Sequence, residues 1–259
     1  MNKENLHELI NRYEDNYEMI NGTVHDEKFK WGAVRGFRDV WFSENASSMT
    51  FAQLFNAATK RSSILINNSR MSPTTGIVKM AEQRPEKVEW LFREVLFADF
   101  KTLNELQDHM DKFLEEIEKI RQELFPRYHR YKQDRHAASC YLAFYEPEIH
   151  FIYRYEAAKK LSQYIEYGKD IEREPNFNLE NYYELAEIVV DALREHSTLM
   201  EKYDVLFKGN ERYYHDESLH IMAYDLMYCC RCYDFYTGLH YAGEEEEANR
   251  KRKNKHKKH

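Results

Sequence analysis

The stretch RYHRYKQDRHAASCYLAFYEPEIHFIYRY, residues 127–155, holds the densest mixture of aromatic and basic residues in the chain. It opens basic and polar with Arg127, His129, Arg130, Lys132, Arg135 and His136. It then turns apolar through Ala137, Ala138, Cys140, Leu142 and Phe144, and breaks at Glu146-Pro147. Beyond the proline, His150-Phe151-Ile152-Tyr153-Arg154-Tyr155 alternates aromatic side chains with period two, which predicts a short half-buried strand. The unit reads as helix, turn and strand in a chain that is otherwise a series of amphipathic helices.

Those helices follow from apolar spacing. Leu6, Leu9, Ile10, Tyr13, Tyr17 and Ile20 recur every three or four residues and predict a helix over 3–20, closed by Asn21-Gly22. Trp31, Gly32, Gly36 and Trp41 mark a segment read as a loop, with the two tryptophans as core plugs. Ser48 is the expected N-cap of a helix carrying Phe51, Leu54, Phe55 and Ala58. Ser72-Pro73 and Pro85-Glu86 each start a helix. The clearest stripe runs Leu103, Leu106, Met110, Phe113, Leu114, Ile117, Ile120, Leu124; it predicts a helix over 102–124 that Pro126 closes. Lys159–Tyr167 continues a short helix, and Leu179–Tyr203 is a second long amphipathic one. Ser218–Tyr236 is nearly all apolar and is expected at the centre of the fold.

Composition narrows the class. With 42% hydrophobic and 15% aromatic residues the chain is too apolar for disorder, despite a charged fraction of 32%. Only eight Gly and five Pro favour long helices over a many-turned β sandwich. A net charge of −7 is no chain-wide nucleic-acid footprint, so anion binding must rest on local patches. No apolar run reaches the roughly 18–20 residues of a bilayer span. The opening MNKENLHELINRYEDNYEMI reads as an acidic amphipathic helix rather than a signal peptide. Four cysteines, three of them at 229, 230 and 232, do not form a secreted disulfide framework, so the expected compartment is the cytoplasm. The predicted architecture is mainly α: a multi-helix globular domain over 1–240, with a short β element after Pro147 and a sub-boundary near residue 60. Residues 241–259, four glutamates followed by a basic run, are expected to be a disordered acidic-then-basic tail.

Several chemistries lack their motifs. Neither G-x-x-x-x-G-K-[ST] nor G-x-G-x-x-G occurs, which argues against an ATPase or a dinucleotide enzyme. There is no G-x-S-x-G elbow and no P-D…(D/E)-x-K arrangement of a metal-dependent nuclease. Cys229 and Cys232 share a helix face and His215 and His220 lie nearby, but structural zinc wants a second ligand pair at comparable spacing. Buried free thiols are the expected reading, with no metal and no cofactor. Arg127, Arg130, Lys132 and Arg135 lie within nine residues, interleaved with Tyr128 and Tyr131. Guanidinium groups pair with phosphates and tyrosines stack on bases, so these four are the candidate nucleic-acid contacts. Arg130 and His136 also fit the R-x4-6-H spacing of HEPN ribonucleases, which resemble this chain in being helical; there the Arg and His act on the scissile phosphate. Tyr131 stands where that family prefers a polar residue.

The order of segments carries a second resemblance. Tyr131-Lys132-Gln133-Asp134-Arg135, Ser139-Cys140-Tyr141-Leu142, Tyr145-Glu146-Pro147-Glu148 and Phe151-Ile152-Tyr153-Arg154 follow one another. Together they resemble the N-terminal, non-motor region of McrB-like AAA+ proteins of type IV, 5-methylcytosine-type restriction systems. Met71-Ser72-Pro73, Pro85-Glu86-Lys87-Val88 with Leu91-Phe92, and Asp216-Glu217-Ser218-Leu219 before an aromatic helix extend the likeness over roughly residues 60–237. In that family the region is linked to substrate recognition, while a separate subunit cuts DNA. This chain departs from the family in holding no Walker motif, and the matched positions include no catalytic residue. The resemblance implies a non-catalytic recognition or adaptor module of a DNA-restriction or phage-defence system, contacting DNA and an AAA+ motor or nuclease subunit. The alternatives are a HEPN-like ribonuclease using Arg130 and His136, and a protein-interaction scaffold.

Overall fold

Two segments, Arg135–Tyr145 and His220–Cys232, carry small or apolar residues around most of their circumference, and a helix of that kind belongs inside. The computed structural model, which describes residues 1–244, places both at the centre and wraps amphipathic helices around them. In chain order the helices are α1 (Lys3–Asp15), α2 (Tyr17–Ile20), α3 (Phe29–Trp41), α4 (Phe51–Ala58), α5 (Ser63–Ile66), α6 (Pro73–Gln83) and α7 (Pro85–Trp90). They continue as α8 (Leu103–Leu124), α9 (Arg135–Tyr145), α10 (Tyr155–Tyr164), α11 (Leu179–Arg194), α12 (Ser197–Phe207) and α13 (His220–Cys232). Short 3-10 turns at Glu44–Ser48 and His129–Tyr131 and a π-helical turn at Leu91–Leu96 join them. Among the described residues no helix is long and apolar enough to cross a membrane.

The amphipathic expectation holds best in α8. Leu106, Met110, Phe113, Ile117 and Ile120 are buried, and the Thr102 side chain accepts from Glu105 N at 3.2 Å to cap the helix. At about 1.5–3 kcal/mol per buried apolar side chain, this stripe outweighs anything its exposed charges contribute. One core runs across residue 60, because Leu54, Phe55 and Ala58 belong to the same buried cluster as Leu65, Ile66 and Ile77.

The strand expected after Pro147 does not form, and no strand occurs among the described residues. Phe151, Ile152 and Tyr153 are buried in an irregular segment between α9 and α10. Side chains, rather than a neighbouring strand, satisfy its backbone. Tyr153 N donates to Ser139 Oγ at 2.9 Å, the Tyr182 hydroxyl donates to Ile152 O, and His136 Nδ1 lies 2.8 Å from Tyr153 O. Burial does not alternate either, since His150, Phe151, Ile152 and Tyr153 are buried in succession, and pairing needs a second strand, which is absent among the described residues.

Other differences have local causes. The helix expected over 3–20 breaks at Asn16, whose Nδ2 donates to Arg12 O at 2.8 Å. The one expected over 179–203 breaks at Glu195-His196, where the His196 ring meets His7 across α1 at 3.0 Å. Phe29–Trp41 is a helix, not a loop, with Trp31 and Trp41 buried as core plugs. Gly36 sits in it because Arg61 lies across the helix: a Cβ there would stand 2.7 Å from Arg61 Cδ. Thr50, not Ser48, caps α4, in a reciprocal box with Gln53 at 3.3 and 3.0 Å. Residues 241–244 are tied down, with Ala242 N donating to Glu166 Oε1 at 2.8 Å; the rest of the expected tail, 245–259, lies outside the described residues.

Charge is also buried. Lys30 on α3 places its ammonium on Glu27 and on Asp225 of α13, and both Lys30 and Asp225 are essentially inaccessible. The Tyr13 hydroxyl donates to Asp225 Oδ2 at 2.5 Å and Tyr233 to Glu27 Oε1 at 2.7 Å. Burial opposes the Lys30 charge, but Asp225 and Glu27 outweigh it and hold its pKa above the ordinary lysine value. Asp216, fully buried before α13, accepts from His220 N, Ile221 N and Met222 N at 3.3, 2.7 and 3.3 Å and so caps that helix.

Candidate functional site

The basic turn is built on aromatic packing. Pro126 stops α8, and Tyr128 stacks on Tyr131 with ring centres 5.3 Å apart, both set edge-on to Phe125. The turn is stitched to the start of α6. Ser72 N donates to Arg130 O at 2.7 Å, Arg130 Nη2 donates to Ser72 Oγ at 3.1 Å, and Gln133 Nε2 donates to Pro73 O at 2.9 Å. Gly76 permits this approach, since a Cβ there would lie 2.7 Å from both Cβ and O of Tyr131. Gly76→Ala is therefore expected to push the turn off α6 and cost about 1–3 kcal/mol, read by denaturant unfolding. An unchanged midpoint would show that the turn carries no packing load.

The four cations proposed from sequence divide three to one. Arg127, Arg130 and Lys132 are exposed, and among the described residues none forms an ion pair with a carboxylate. Lys132 also feels Glu118 at longer range, an acid that Arg121 already binds at 2.8 Å. Arg135 turns inward instead: its side chain is 10% exposed, pairs with Asp111 of α8 and with Glu174, and lies 4.2 Å over the Phe177 ring. It clamps α9 to α8 and to the segment before α11, because its guanidinium fork finds two acids at that junction.

His136 is committed to the fold. Its Nδ1 faces Tyr153 O at 2.8 Å and its Nε2 faces Leu65 O at 3.0 Å, so both ring nitrogens meet backbone carbonyls. Arg130 reaches Ser72 and is absent from the cleft that His136 lines. Cys140 Sγ approaches the His136 ring at 3.9 Å, but the sulfur is fully buried and burial pushes the thiol up, the reverse of an activated nucleophile. Cys229 and Cys230 are likewise buried with raised thiols, and Cys232 is exposed. His215 and His220 do not join them: His215 lies beside Asp204 and Glu217, and His220 beside Glu187. Glu27, Asp225 and Cys229 gather their ligand atoms within 4.8 Å, but the Lys30 ammonium already bonds both carboxylates.

Next to the turn, past Met71 and Pro73, a cleft of about 670 Å³ opens between α5, the starts of α9 and α10, and residues 173–177. Six charged side chains line it: Asp134, Arg135, Arg154, Glu156, Arg173 and Glu174. Two pairs cancel, Arg135 with Glu174 and Arg173 with Glu156, while Asp134 accepts from Ala137 N at 2.8 Å to cap α9. Arg154 is left over. It is half-buried, its guanidinium lies 5.8 Å from the Tyr228 ring centre, and among the described residues no carboxylate pairs with it. Sequence reading placed Arg154 within the supposed strand and at the end of a segment carrying the McrB-like resemblance, and assigned it no contact. Searches with protein-family models, curated proteins and solved structures return no match to this chain.

Proposed function

We propose that the chain is a non-catalytic recognition module of a McrB-like restriction or phage-defence system, contacting DNA through the turn Arg127–Lys132. One observation carries the reading. Three exposed cations, Arg127, Arg130 and Lys132, form no ion pair among the described residues and stand on a turn that stacked tyrosines and Ser72 contacts hold in place. An ordered cationic edge pairs with phosphates at a smaller entropic cost than a flexible one. The order of motifs over residues 60–237 supports the system to which it is assigned, and cutting or translocation then falls to a motor or nuclease partner.

Arg127→Ala with Arg130→Ala is expected to weaken duplex binding and to reduce the slope of log affinity against log salt by about 2, roughly one per lost phosphate contact. Fluorescence anisotropy with one labelled duplex across a salt series reads both quantities. Binding that keeps its affinity and slope in the double variant rejects the turn as the DNA contact.

A further inference from the structure

Arg154 poses a problem of charge. A guanidinium is always protonated, and Arg154, partly buried on the cleft wall, gives up some of its hydration with no ion pair among the described residues to replace it. The groups facing it do not supply that anion. The Tyr228 ring offers only its face, and Cys140 and Tyr224, which feel the Arg154 charge, are neutral groups that burial holds protonated. Arg135, which also lines the cleft, keeps Nη1 buried and, among the described residues, without a hydrogen-bond partner while its other nitrogens serve Asp111 and Glu174. Arg154 also stands at the N-cap of α10, where no side chain caps the first turn, so the positive end of that ten-residue helix opens on the same space.

The remaining walls are partly aromatic, with the Arg173 guanidinium 4.3 Å over one face of Tyr155. Tyr155 and Tyr228 line the cleft beside Ile64 and Met71, and the carboxylate of Asp134 stands at the wall as an acceptor. The volume of about 670 Å³ falls within the roughly 300–1,000 Å³ of small-molecule sites. We infer that this cleft binds a nucleoside monophosphate, with Arg154 and the α10 N-terminus receiving the phosphate and the tyrosine-lined wall receiving the base. The site is separate from the Arg127–Lys132 turn and does not depend on the role proposed for it.

Isothermal titration of the full chain with adenosine monophosphate, and separately with inorganic phosphate, tests the assignment. Saturable binding of the nucleotide is expected, weakened roughly tenfold to a hundredfold by Arg154→Gln, because a hydrogen-bonded charge contact is lost. Inorganic phosphate alone is expected to bind more weakly than the nucleotide. Ile64→Glu gives a second reading that spares the core, since Ile64 is 72% exposed at the cleft wall and an acid there repels the phosphate. Both variants are expected to keep the duplex affinity that Arg127 and Arg130 confer. No binding of the nucleotide by the folded wild type, or equal binding by wild type and both variants, overturns the proposal. Competition by a 5′-phosphorylated oligonucleotide assigns the bound phosphate to a strand end, and absence of competition assigns it to the free nucleotide.

Discussion

Lys30→Met is expected to cost about 3–5 kcal/mol of stability, lowering the melting temperature by roughly 10 °C. The single substitution strands Glu27 and Asp225 in the interior beside one another, with Tyr13, Tyr233 and the weak Cys229 thiol left as side-chain donors. Burial already raises Asp225 above the usual carboxylate value despite the opposing pull of Lys30, so removing the ammonium pushes one acid to take a proton. Adding Asp225→Asn is expected to recover part of the loss, since the amide is neutral and its oxygen still accepts from Tyr13. Urea unfolding of the single and double variants at neutral pH measures the coupling. Strictly additive losses would mean that the ammonium and carboxylate contribute independently.

The second large effect is loss of stability in mild acid. His150 is buried, with Nδ1 3.0 Å from the Tyr183 hydroxyl, and burial, aided by the nearby His220, pulls it down to about 3. His220 is lowered to about 4, again chiefly by burial, where it packs 3.9 Å from Phe151 between ring centres. The unfolded chain accepts protons that these folded rings refuse. Their contribution is therefore complete above about pH 6.5 and is lost as pH falls toward the folded values, roughly 3 kcal/mol by pH 4 from His150 alone. Asp216 works the other way. Burial raises it to about 6, so protonation favours the fold as pH falls from 6 toward 4. Glu146, 3.9 Å from His150 Nε2, is half exposed, so solvent screens its attraction for the ring. Urea midpoints at pH 7, 5.5 and 4 should decline steeply in the wild type and less in His150→Gln, which keeps a partner for Tyr183. Equal declines would place the acid sensitivity elsewhere.

The helical class, the long α8 stripe, the two proline starts and the central position of α13 were all legible in the sequence. Each depends on spacing within one segment, and helical hydrogen bonds close within four residues. The 29–41 helix was misread because Gly32 and Gly36 suggest a loop when taken locally; the structure gives Gly36 another purpose, making room for Arg61. The Phe151–Tyr153 strand was misread because alternation of residue types is silent about whether a neighbouring strand exists to pair with it. Ser139, Tyr182 and His136 take that role from two other helices.

The site shows the same division more sharply. By itself the sequence determined that a basic, tyrosine-rich stretch follows the helix that Pro126 closes and that no nucleotide-hydrolysis or hydrolase motif accompanies it. Only the tertiary structure decided which cations remain available. Arg135 is consumed by Asp111 and Glu174, 24 and 39 residues away, and His136 by carbonyls 17 and 71 residues away. Arg154, unremarkable in the chain, becomes a cleft cation with no ion pair among the described residues. The type of a charged residue is written in the sequence, but its partner is chosen by packing between distant segments.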